Sequence, residues 1–109
     1  MVVVVIPDII LEVMDQTQDE RNNASFSCQA TGKPIPTISW YFNGATVDEA
    51  NTMKYTISMM SLNTTTINNT LTIMSVESSD VGTYTCNASN VVSTDSSSGV
   101  LTVNGELLL

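Results

Sequence analysis

Asp80-Val81-Gly82-Thr83-Tyr84-Thr85-Cys86 is the stretch on which the reading of this chain turns. Within it and just beyond, Tyr84, Cys86 and Ala88 alternate with Thr83, Thr85 and Asn87. A period of two with one apolar and one polar face marks a half-buried strand. Working outward, the chain has one other cysteine, Cys28, and a single tryptophan, Trp40, between the two cysteines. Residues 23–30 repeat the same alternation, with Ala24, Phe26, Cys28 and Ala30 on one side and Ser25, Ser27 and Gln29 on the other. Ile38, Trp40 and Phe42 alternate with Ser39 and Tyr41, and Asn43-Gly44 follows at once as a hairpin signal, since both residues tolerate positive φ.

The rest of the chain fits between these strands. Two aliphatic runs, 2–6 and 9–14, are split by Pro7-Asp8 and read as an edge strand that breaks there and changes sheets, because proline cannot donate to a ladder. Residues 15–22 read as a polar loop, and 31–36 as a loop stiffened by Pro34 and Pro36. Residues 45–53, with Asp48-Glu49, predict a short edge strand or loop, and 54–58 predict a strand. The Met-, Ser-, Thr- and Asn-rich stretch 59–69 reads as the turn back, followed by a strand with Leu71 and Ile73 on one face. Residues 93–99 read as a flexible segment before a closing strand at 100–103. Seven to eight short strands with no competing amphipathic helix predict an all-β Greek-key sandwich of two antiparallel sheets.

The bulk properties bound the function. At 109 residues the chain is one domain, placed at 1–104, with 105–109 as a tail or the start of a linker. Eleven acidic residues face only Arg21, Lys33 and Lys54, for a net charge of −8. Three scattered cations cannot displace the counterions of a nucleic acid, nor dock the chain on anionic lipid. The apolar opening 1–6 is too short for a membrane helix or a signal-peptide core. Three leucines at the end, Leu107-Leu108-Leu109, suggest a module of a longer chain, so any membrane attachment is expected through that parent chain.

The ordered pieces resemble the immunoglobulin superfamily, and within it the intermediate-set (I-set) domains of adhesion molecules, receptor ectodomains and muscle scaffolds. They are the run 28–36, residues 38–44, Lys54-Tyr55-Thr56-Ile57, Leu71-Thr72-Ile73, the run 80–86 and Ala88-Ser89-Asn90. The resemblance implies a Cys28–Cys86 disulfide across the two sheets with Trp40 packed on it. It implies that Tyr84 is a tyrosine corner bonded back to the main chain near Asp80, that Gly82 sits where a side chain would crowd, and that Leu71 belongs to the core. The cation that often pairs with the Asp80 position is here Lys54. Two positions depart from the pattern. Ser93 stands where relatives often carry glycine, which predicts a wider or reshaped loop there. Phe42 replaces a charged residue and is read as a cover over one end of the core.

Candidate chemistry is sparse. Histidine is absent, which removes the Ser–His and Cys–His pairings and the common zinc ligands, so neither enzyme activity nor a cofactor is expected. Asp8, Glu12, Asp15, Asp19 and Glu20 lie close in sequence but lack the spacing of a calcium loop and read as a solvated edge. Four Asn-X-Ser/Thr sequons, at Asn23, Asn63, Asn68 and Asn87, are candidate glycan acceptors.

The expected function is protein–protein recognition by an extracellular module of a cell-surface adhesion or receptor protein, with a homophilic or a second cell-surface partner. Tyr41, Val91 and Val92 are the candidate contacts, since aromatic and apolar surface concentrates interface energy. Two other readings stay open: an intracellular muscle-type scaffold domain, or a spacer or regulatory domain in a receptor-kinase ectodomain.

Overall fold

The period-two pattern yields nine strands among the described residues, 3–105, in a computed structural model. They are β1 (Val5–Leu11), β2 (Gln16–Asp19), β3 (Ala24–Lys33), β4 (Thr37–Phe42), β5 (Ala45–Thr46), β6 (Tyr55–Ser61), β7 (Thr66–Ile73), β8 (Gly82–Ser89) and β9 (Thr94–Asn104). A 3-10 turn at Ser78–Asp80 precedes β8. One sheet has the order β1-β3-β7-β6 and the other β2-β9-β8-β4-β5. All pairings are antiparallel except that of β2 with β9. The residues expected on the inner faces are buried there: Ala24, Phe26, Cys28 and Ala30 from β3, Ile38 and Trp40 from β4, Leu71 and Ile73 from β7, and Tyr84, Cys86 and Ala88 from β8. Phe42 is partly buried against this core, its ring stacked on Tyr84 at 4.7 Å between centroids.

Five boundaries differ from the sequence reading. β1 runs straight through Pro7-Asp8. Proline is tolerated because β1 is an edge strand and its ladder with β3 shifts register between Val5 and Asp8, where a missing N–H costs nothing. The change of sheet comes later, between Leu11 and Gln16, and residues 15–22 are not one loop, since Gln16–Asp19 is a strand on β9. Side chains secure this crossing: Ile9 N–H donates to Asp95 Oδ2 at 2.8 Å, Val13 N–H to Ser97 Oγ at 3.0 Å, and Val100 N–H to Asp15 Oδ1 at 2.8 Å. Gly99 leaves room for it, because a Cβ there would stand 2.8 Å from Val13 Cγ1.

The stretch 59–69 is mostly strand, with the reversal confined to 62–65 between β6 and β7. Most of its polar residues lie on the exposed side of a hairpin, a position that composition alone does not separate from a turn, while Thr66 and Asn69 are buried. The serine-rich 93–99 is likewise ordered as the first half of β9, paired residue by residue with β8. Small hydroxyl side chains suit that outward face, and Thr85 and Ser98 share a hydrogen bond of 2.7 Å. Residues 31–33 continue β3, leaving a connection of only Pro34, Ile35 and Pro36. Of the expected C-terminal tail, 106–109 lie outside the described residues, as do the first two residues of the apolar opening.

Candidate recognition surface

The frame that holds the surface is built around the Cys28–Cys86 disulfide, with Cα atoms 6.4 Å apart and both cysteines fully buried. Trp40 pairs with Cys86 across the β4–β8 ladder. Its indole N–H donates to Asn69 Oδ1 at 2.8 Å, so a buried polar residue answers the tryptophan's single donor. The sequence reading missed Asn69. Its place in the inward row Ile67-Asn69-Leu71-Ile73 was the available signal, obscured once 59–69 was read as a turn.

At the lower end of the same core, Tyr84 O–H donates to Asp80 O at 2.8 Å. Asp80 is buried, and its Oδ2 accepts from Lys54 Nζ at 2.6 Å and from Glu77 N–H at 2.8 Å. Lys54 Nζ also reaches Met74 O at 3.3 Å, so one ammonium joins the start of β6, the end of β7 and the 3-10 turn. Burial, reinforced by Asp80 and then Tyr55, pushes the Tyr84 phenol well above its ordinary pKa. Tyr55 is raised too, first by burial and then by Asp80, with Lys54 opposing. Gly82 has φ +155°, and a Cβ there would fall 2.7 Å from Phe42 Cε1 and 2.5 Å from Asn43 Oδ1. No buried side-chain N or O among the described residues lacks a partner.

The candidate contacts do not form one patch. Tyr41 is half-buried on the outer face of the β2-β9-β8-β4-β5 sheet, opposite Thr46 and Thr85. Val91 and Val92 sit at the far end of β8, four residues of strand beyond Thr85, or roughly 13 Å. There the β8–β9 connection is tight, not widened: Asn90 N–H donates to Ser93 O at 3.1 Å, closing four residues, 90–93. Asn90 does the work expected of a glycine. Its Oδ1 accepts from Val92 N–H at 2.9 Å and from Ser93 N–H at 3.3 Å, while its Nδ2 donates to Val5 O at 2.9 Å and Pro34 O at 3.0 Å. These bonds hold Val91, 87% exposed, and Val92 beside the start of β1, where Val4, Val5 and Ile6 are also exposed. A cleft of about 470 Å³ runs between β1 and the start of β9, lined by Val5, Ile6, Asp8, Thr31 and Thr94 among others.

The four sequons occupy different settings. Asn23 is exposed, its Oδ1 taken by Ser75 N–H at 2.9 Å. Asn63 is exposed in the 62–65 turn, where Oδ1 accepts from both Thr65 N–H at 2.9 Å and Thr65 Oγ1 at 3.0 Å. Asn68 and Asn87 are half-buried in β7 and β8, out of step with the inward rows. No group of three His, Cys, Asp or Glu side chains among the described residues is arranged to hold a metal.

Comparison with known proteins agrees with this architecture. The family model described as "Immunoglobulin domain" matches residues 6–90. The chain is 34% identical over 101 residues to the peroxidasin homolog pxn-2 of Caenorhabditis elegans, covering 93% of this chain and 7% of that protein. It is 28% identical over 100 residues to the muscle M-line assembly protein unc-89 of the same organism, covering 92% of this chain and 1% of that one. The solved titin domain M7 superimposes with a TM-score of 0.83 at 30% identity, covering 95% of this chain and 99% of that structure. The chain thus spans a small part of the curated relatives it matches and nearly the whole of a single solved domain.

Proposed function

We propose, on the premise that this chain belongs to the immunoglobulin-domain family, that it is a protein-recognition module of a cell-surface adhesion or receptor protein and performs no chemistry itself. The observation that carries this reading is the apolar tip. Val91 and Val92 are exposed on a turn made rigid by Asn90, next to exposed Val4, Val5 and Ile6. Apolar side chains already held in place lose little entropy on binding, which makes such a tip a suitable anchor for a partner. Tyr41 and Thr85 offer a separate, more polar contact area on the sheet face.

Three features support an extracellular setting: the Cys28–Cys86 bridge, the outward placement of all four sequons, and the scarcity of cations. The muscle-type scaffold remains the second reading, favoured by the similarity to unc-89 and titin. Two measurements separate them. Thiol trapping of the native protein finds Cys28 and Cys86 oxidised and glycopeptide mapping finds at least one of Asn23, Asn63, Asn68 and Asn87 occupied if the first reading holds. Reduced thiols with four bare asparagines would support the scaffold. For the tip itself, a partner screen with the native domain should lose its strongest hits when Val91 and Val92 are both changed to Asp. Undiminished capture would move the contact elsewhere.

A further inference from the structure

The two sheets have four edge strands, β1 and β6 in one and β2 and β5 in the other. An unprotected edge offers a row of free N–H and C=O groups to any other strand, and proteins blunt it with proline, charge, bulges or shortness. Three of the four are blunted in this way. β1 carries Pro7, Asp8 and two shifts of register. β2 has four residues and ends at Asp19-Glu20. β5 has two residues.

β6 has none of these protections. It is seven residues long and pairs with β7 in unbroken register from Tyr55 to Ser61. From Tyr55 to Val76 the chain contains no charged residue, no proline and no glycine. Met59, Met60 and Leu62 are 65%, 63% and 48% exposed along it. The free main-chain groups follow from alternation. Met74 N–H donates to Lys54 O at 2.8 Å and Leu62 N–H to Thr66 O at 2.9 Å, so the even-numbered residues carry the ladder to β7. The odd-numbered ones face away from it. Tyr55 N–H is taken by Asn51 O at 2.9 Å, which leaves the outward main-chain groups of Ile57, Met59 and Ser61 open among the described residues.

We infer that β6 is a homophilic edge, on which a second copy of this chain adds its own β6 antiparallel across a two-fold axis. Charge selects this occupant. With a net charge of −8, two copies repel wherever carboxylates face each other, and a basic partner is drawn to Glu12, Asp15, Asp19 and Glu20 instead. The neutral β6–β7 hairpin is the stretch where two such acidic bodies meet without opposed charges. An antiparallel strand is also self-complementary, as an isologous contact requires. Centred on Met59, the pairing sets Ile57 opposite Ser61 of the second copy and uses the open groups of all three residues. The surface lies on the sheet opposite Tyr41 and does not depend on the apolar tip.

Sedimentation equilibrium of the oxidised, unglycosylated chain across a wide concentration range tests the inference. A weak monomer–dimer equilibrium is expected, strengthened by added salt because the opposing force is like-charge repulsion. Met59→Lys should weaken it at least about tenfold, some 1.4 kcal/mol. Ser61→Pro should do the same while sparing the fold, since that N–H does not bond β7. Met53→Lys, the same charge change at an exposed loop position, should leave association intact. Hydrogen exchange gives the register directly: the amides of Ile57, Met59 and Ser61 gain protection with concentration, and those of Thr56, Ser58 and Met60 do not. A chain that stays monomeric throughout, or a dimer indifferent to Met59→Lys and Ser61→Pro, overturns the proposal.

Discussion

Asn69 and Tyr84 show how single polar groups decide the quality of this core. Asn69→Leu keeps the number and branching of side-chain heavy atoms but leaves the Trp40 N–H buried without an acceptor, a loss of about 1–3 kcal/mol that urea denaturation would read as a lower midpoint. Tyr84 couples the core to pH. Its phenol ionises near 10 in the unfolded chain and well above that in the folded one, so folding holds the proton more tightly. The stability it supports is complete below about pH 10 and falls as pH rises beyond it. Tyr84→Phe is therefore expected to lose about 1 kcal/mol at neutral pH, from the hydrogen bond to Asp80 O, and to decline less steeply above pH 10. Urea midpoints measured on both sides of that pH would separate the two effects. Among these residues the bond from Tyr84 to the main chain at Asp80 and the Lys54–Asp80 pair were both expected from the resemblance. Asn69 was not, because a partner 29 residues from Trp40 is revealed only when two sheets close on each other.

At the scale of elements, the strands with a buried face were readable and the exposed or boundary segments were not. β3, β4 and β8 alternate apolar with polar because one side of each packs in the core. β2, the outer half of β6 and the first half of β9 are solvated, so their ladders leave no alternation of apolar with polar residues in the sequence. The 90–93 turn makes the same point. Ser93 in place of glycine suggested a wider or reshaped loop, but two hydrogen bonds to Asn90 Oδ1 close it and two from Asn90 Nδ2 tie it to Val5 and Pro34. Asn90→Ala should therefore loosen the tip without unfolding the domain. Hydrogen exchange at Val92 and Ser93 is expected to speed up by an order of magnitude or so, given roughly 1 kcal/mol for each bond lost, while the amides of β8 keep their protection. If that variant also weakens partner capture, rigidity of the tip contributes to recognition.

The whole molecule depends on the bridge between its sheets. Cys28 and Cys86 enclose a loop spanning a sequence separation of 58, and the chain-entropy account credits such a closure with about 4 kcal/mol. For a domain of 109 residues that is a large share of the 5–15 kcal/mol typical of folded proteins. Reduction, or replacement of both cysteines by alanine and valine, is expected to lower stability by about that amount, read as a fall in Tm and in urea midpoint. The same figure bears on compartment, since a reducing environment would leave the sheets held by packing and by hydrogen bonds such as Trp40 to Asn69.

Local alternation and two cysteines around one tryptophan were enough to determine the sandwich and the inward residues of β3, β4 and β8, while a net charge of −8 set an expectation about partners. They act through burial and charge, which are properties of the residues themselves. The tertiary structure alone decided where the first strand changes sheets, that Asn69 answers Trp40, and that Tyr41 and the valine pair lie apart. It also decided that β6 stands as an open edge. Each of these depends on which segments become neighbours, and neighbours far apart in the chain leave no mark on local sequence.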